Sequence, residues 1–115
     1  MHVVLPGHLR RLAGISAPVV PIKIDRGDSS AHAPVSLGDV LDALEQIYPP
    51  LKGVFYETIP ISDEKAILRL RVYLRFFAGK YDLTPRGPTA PLPPEVISGK
   101  EPLRIVGAIA GGQGR

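Results

Sequence analysis

No cysteine occurs anywhere in the 115 residues. Without a thiol there can be no disulfide, no thiolate nucleophile and no sulfur-ligated metal site. The missing disulfides leave the compartment open, and a cytoplasmic setting is the simpler expectation. Long apolar runs are missing too. None approaches the ~20 residues that a membrane helix needs, so no membrane partner is expected. Arg10 and Arg11 follow the short apolar start instead of preceding it, the wrong order for a signal peptide. Histidine is scarce. His2, His8 and His32 lack the close spacing of metal ligands, so they read as surface residues and no metal site is expected. Charge of one sign is only mildly in excess, with 14 Lys and Arg against 11 Asp and Glu, a net +3. That balance suits an acidic partner surface without demanding one.

What is present is an ordinary globular composition, 44% hydrophobic and 22% charged, with 13 prolines and 12 glycines to mark turns. The length allows one domain with a real core and is too short for two. His2 to Leu5, closed by Pro6-Gly7, reads as a first strand. Leu9 and Leu12, three apart, imply a helical turn ended by Gly14. Pro18 to Ile24 reads as a second strand, antiparallel to the first, with Pro21 pointing to an edge or a bulge. Ser36 with Asp39 three residues on forms a helix start. Leu37, Val40, Leu41, Leu44, Ile47 and Tyr48 then recur as one apolar stripe until Pro49-Pro50. Asp39, Asp42 and Glu45 fall on the other side of that helix and read as its wet face, not as a general acid–base pair.

Leu51 to Lys65 is mixed in character, with Tyr56 and Ile59 as candidates to touch the core. Ile67 to Phe77 gives the strongest strand signal. Its alternation places Leu68, Leu70, Val72, Leu74 and Phe76 on a buried face, and Arg69, Arg71, Tyr73, Arg75 and Phe77 on a wet one. Ala78-Gly79-Lys80 is a turn before a short pairing segment at Tyr81-Asp82-Leu83. A Pro-rich stretch from Thr84 to Pro94 precedes the final strand, which starts near Pro102 and dissolves into Ala108-Ile109-Ala110-Gly111-Gly112. One amphipathic helix on a mixed sheet of four to five strands is an α+β arrangement.

Taken in this order, the sequence resembles the MoaD/ThiS family of ubiquitin-like sulfur carriers. The resemblance rests on Val3-Val4-Leu5-Pro6 with His8-Leu9-Arg10-Arg11-Leu12-Ala13-Gly14, and on Val40-Leu41-Asp42-Ala43-Leu44 running to Tyr48-Pro49. It continues through Leu74-Arg75-Phe76-Phe77, Asp82-Leu83, Leu92-Pro93 and Val96 before Gly99, and ends in Ala108-Ile109-Ala110-Gly111-Gly112. It implies a β-grasp fold, with residues 1–110 as a single domain and residues 111–115 as a flexible tail. It also implies a carrier that is not an enzyme. Its terminal glycine is adenylated by a MoeB/ThiF-like activating enzyme that uses ATP, and is converted to a thiocarboxylate. A synthase making a molybdopterin-type or thiamine-type product then accepts the sulfur. The carrier binds no cofactor and has no catalytic side chain.

The chemistry is coherent with the residues. A carboxylate with a pKa of ~3.3–3.7 is ionised and a poor electrophile at neutral pH. Joined to AMP it gains a leaving group that a partner's persulfide can displace. Glycine lacks Cβ, so Gly111 and Gly112 can lie in a slot too narrow for other residues. Gln113-Gly114-Arg115 follow Gly112, so the carrier reading needs a peptidase that exposes Gly112. The other readings of those three residues are a cloning remnant, or a member that has left the pathway.

The Arg69, Arg71, Tyr73, Arg75 and Phe77 face, with Ile109 and Ala110, is the expected partner-binding surface, its aromatics and arginines acting as anchors. The competing readings are single-stranded nucleic acid stacked on Tyr73 and Phe77, which is not the expected partner, and a merely solvated strand face. The alternative from another class is a non-catalytic β-grasp binding module that uses this face for a protein or RNA, with an idle tail.

Overall fold

The computed structural model describes residues 1–24 and 34–107. The first strand, β1 (His2–Val4), leads through Pro6 into α1 (Gly7–Ala13), which Gly14 ends at φ 74. That left-handed geometry is open to glycine without penalty, and its N–H bonds back to the last turn. The next strand, β2 (Val19–Pro21), pairs antiparallel with β1 at the edge of the sheet. Proline is admissible there because an edge need not donate.

The long helix is α2 (Leu37–Ile47). Its start is a complete capping box: the Asp39 amide donates to Ser36 Oγ at 3.2 Å, and the Ser36 amide donates to Asp39 Oδ2 at 2.9 Å. The Pro-rich stretch supplies the rest. The Leu37 and Gly38 amides donate to the carbonyls of Ala90 and Pro88, each at 2.8 Å. The orphan donors of the first turn are thereby satisfied by a loop that sequence reasoning could only call irregular. Leu37, Val40, Leu41 and Leu44 are wholly buried, whereas Ile47, expected on the same stripe, is half exposed.

The remaining strands are β3 (Tyr56–Pro60), β4 (Ala66–Leu70), β5 (Leu74–Ala78), β6 (Tyr81–Asp82) and β7 (Leu103–Gly107). Two short helical pieces lie between them, the 3-10 turn Thr84–Arg86 and α3 (Pro94–Ile97). The main sheet has the order β2-β1-β7-β5-β6, with β1 and β7 parallel and the other pairs antiparallel. A mixed five-stranded sheet packed on α2 is the α+β, β-grasp arrangement expected from the sequence. Its inner face contributes Val3, Val20, Leu74, Phe76, Leu103 and Ile105 to the same core as α2.

The longest expected strand is broken in two. Ile67 to Phe77 is two strands in two sheets, because β4 pairs with β3 in a separate hairpin. The Leu74 amide donates to the Arg71 carbonyl at 3.0 Å, closing a turn with Val72 and Tyr73 at its centre. Neither residue is a customary turn former, and a two-residue bend leaves the period-2 alternation intact. Leu68 and Val72, expected in the core, are therefore 66% and 63% exposed. Phe55, given no role by the sequence pattern, is fully buried instead. Its carbonyl accepts from the Arg71 amide at 2.9 Å, which ties the hairpin to the turn.

Candidate functional site

The expected sulfur-carrying residues Gly111 and Gly112, with Ile109 and Ala110 before them, lie outside the described residues, as does His32. What the structure describes is the point from which they leave. β7 ends at Gly107, which pairs with Leu74 at the start of β5. His8 lies against this end of the strand: a Cβ on Gly107 would stand 2.5 Å from the imidazole Cε1. A side chain here would have to displace the His8 ring, so glycine is favoured by close approach, not by its φ. His8 is half-buried, unlike exposed His2, and its Nε2 has no hydrogen-bond partner among the described residues.

The expected partner-binding residues do not share one strand face. Arg75 and Phe77 project from the outer face of the main sheet, where they stand opposite Val106 and Arg104. Tyr73 packs against the core. Arg69 and Arg71 belong to the hairpin side. Arg69 Nε donates to Glu57 Oε2 at 2.7 Å, and Arg71 donates through Nε and one terminal nitrogen to the Gly53 carbonyl at 3.3 and 2.9 Å. Arg71 also stands 4.0 Å from Glu57. The fold nevertheless brings three of the five together. Arg69, Arg71 and Arg75 line a groove of about 450 Å³ between the hairpin and the Thr84–Arg86 turn, and Arg86 joins them there. Tyr73 and Phe77 do not line it. Sequence reasoning missed Arg86 because it sits in a stretch with no periodicity; its only signal was a charge among prolines.

Electrostatics at the rim follow from these contacts. Hydrogen bonding from Thr84 holds Asp82 below the usual carboxylate range, and the nearby Arg75 charge acts in the same direction. Next to the groove-lining Leu70, with which it pairs, Tyr56 has its phenol pushed up to about 12 by burial, with the charges of Asp42, Glu45 and Asp39 adding to it. Burial, followed by the Asp42 charge, raises Glu45. Among the described residues, no three His, Asp or Glu side chains gather as metal ligands would, and no helix is long and apolar enough to cross a membrane.

No family model matches the chain, and no curated sequence relative does. Solved structures do. CysO from Mycobacterium tuberculosis superposes with a TM-score of 0.61 at 20% identity, over 93% of this chain and 97% of that one. A chain of the BexX/CysO complex from Amycolatopsis orientalis gives 0.63 at 19%, over 96% and 98%. The small archaeal modifier protein 1 (SAMP1) from Methanosarcina acetivorans gives 0.60 at 23%, over 96% and 94%. These likenesses span nearly the whole of every chain, and what they establish is the shared ubiquitin-like β-grasp fold.

Proposed function

We propose that the chain is a ubiquitin-like carrier protein that works through the carboxylate of Gly112, after a cut that removes Gln113-Gly114-Arg115. The observation that carries the reading is that Gly111 and Gly112 are the fourth and fifth residues after β7, the last strand of a β-grasp sheet. Its structural neighbours support the general class, one being a small archaeal modifier protein and another having been solved as the BexX/CysO complex.

The first step is common to carriers and modifiers. The Gly112 carboxylate attacks the α-phosphorus of ATP, pyrophosphate leaves, and an acyl-adenylate remains. A MoeB/ThiF-like enzyme supplies the catalytic groups and the nucleotide site. The paths divide at the acceptor. Attack by hydrosulfide expels AMP and leaves a thiocarboxylate, whereas attack by an amine would leave an amide. We assign the sulfur path, with the sulfur passed on to a synthase in molybdopterin-type or thiamine-type biosynthesis. The residue types suit it: Ala110-Gly111-Gly112 end the segment with side chains small enough for a narrow channel, and the carrier itself needs no nucleophile.

The test is intact mass. The full chain and a form ending at Gly112 are each incubated with ATP, an activating enzyme from the same organism and hydrosulfide. A gain of ~16 Da on the Gly112 form alone, sulfur replacing oxygen, is the expected result. No gain on either form, with the enzyme shown to be active on its own carrier, refutes the proposal.

A further inference from the structure

The groove between the β3–β4 hairpin and the Thr84–Arg86 turn has a composition of its own. Leu68, Leu70 and Val72 form one side, and Pro85 and Pro88 the other. Leu68 and Val72 are among the most exposed large apolar side chains described, so this surface is aliphatic and uncovered. Around it stand Arg69, Arg71, Arg75 and Arg86, and no acidic residue lines it. Glu57, paired with the hairpin arginines, and Asp82, whose carboxylate feels the Arg75 charge, offset at most two of the four charges. Among the described residues, Arg75 and Arg86 are in no ion pair.

The four arginines are not equivalent. Arg69 and Arg71 are held by Glu57 and by the Gly53 carbonyl, so part of the ordering entropy of those side chains is already spent in the free protein. Arg75 and Arg86, in no ion pair among the described residues, leave their guanidinium forks open to a carboxylate. The lining contains no aromatic ring, because Tyr73 turns into the core and Phe77 lies elsewhere on the sheet. A surface for single-stranded nucleic acid combines its cations with stacking platforms, and this one has cations over aliphatic carbon.

We propose that this groove docks an extended acidic segment of a protein partner, in which a large aliphatic side chain is flanked by carboxylates. The aliphatic residue covers Leu68 and Val72, and the carboxylates on either side engage Arg75 and Arg86. The cross-strand pair Leu74 and Gly107 puts the groove and the exit of β7 at the same end of the sheet. A partner seated in the groove is therefore at the end of the sheet where β7 finishes at Gly107. Binding at the groove does not depend on any chemistry at Gly112, so either proposal can fail without the other.

The full chain, labelled with ¹⁵N, is titrated at low salt with the blocked peptide Glu-Asp-Leu-Asp-Glu. Amide shifts are expected to centre on Leu68 to Val72, Arg75 and Arg86-Gly87. The double variant Arg75→Ala, Arg86→Ala weakens binding about tenfold or more, the loss expected when exposed charge-assisted contacts are removed. Replacing the peptide's Leu by Gly weakens it severalfold, and raising the salt weakens it further. Both arginines are exposed, and the variant's own spectrum reports whether the fold is intact. Shifts centred elsewhere, no binding at millimolar peptide, or an affinity unchanged in the double variant overturns the proposal. So does a uridine-rich single-stranded RNA that binds the groove more tightly than the peptide.

Discussion

Phe55→Ala and Leu68→Ala, measured side by side, decide whether the chain bends between β4 and β5. Phe55 is fully buried, and removing a buried phenylalanine side chain costs about 3–5 kcal/mol through lost transfer energy and the cavity left behind. Leu68 is 66% exposed, so its truncation forfeits little buried area and stays within ~0.5 kcal/mol. An unbroken strand over Ile67 to Phe77 demands the reverse order, with Leu68 as a core residue worth ~2–5 kcal/mol. The assay is urea unfolding followed by far-ultraviolet circular dichroism. With a slope of ~1.5 kcal/mol per molar, Phe55→Ala should lower the midpoint by about 2–3 M, and Leu68→Ala by ~0.3 M or less. The total stability of such a domain is only about 5–15 kcal/mol, so Phe55→Ala should bring it close to unfolding. A midpoint that falls further for Leu68→Ala than for Phe55→Ala refutes the two-sheet arrangement and the groove built on it.

Two further outcomes follow from the helix and its surroundings. Ser36→Ala removes the acceptor for the Asp39 amide and should cost ~1 kcal/mol in urea unfolding, with Ser36→Thr restoring most of it. Raising the pH from 10 to 12 should strip away the stability tied to Tyr56, because the unfolded phenol ionises near 10 while the folded one holds its proton up to about 12. That contribution is complete below pH 10 and lost as the pH rises through 12. It amounts to ~1 kcal/mol once the screening of a half-buried group is allowed for, and should vanish from the pH profile of Tyr56→Phe.

The parts of the fold that were legible in the sequence are those in which local chemistry and tertiary placement agree. Ser36 and Asp39 state where α2 begins, Pro49-Pro50 where it ends, and Pro21 that β2 lies at an edge. The hairpin was not legible for a definable reason. Tyr56 to Pro60 is only five residues long, ends in proline, and keeps no clean alternation of buried and exposed positions. Without β3 in view, β4 had no visible partner, and its alternation ran on through Arg71-Val72-Tyr73 into β5 without a glycine, proline or asparagine to mark the bend. The candidate surface suffered from the same error. Three arginines assigned to one strand face do converge, yet they do so across a bend and with a fourth that no periodicity could have added.

That convergence also explains how a single partner could hold both features of the chain. Gly112 is the fifth residue after Gly107, and five residues span at most ~18 Å when fully extended. A partner that grips the groove and acts on Gly112 must therefore keep its reactive centre within about that distance of the Leu74–Gly107 pair. The register at that pair is fixed from both sides. Leu74 is wholly buried, so a slip of one residue would turn it out to water, and a side chain at Gly107 would have to push the His8 ring aside. The point of departure of the tail is thus held by core packing and not by the partner. Of the residues from Ala108 to Gly112, the alanines and glycines carry no side-chain rotamer entropy to lose on binding, and only Ile109 does.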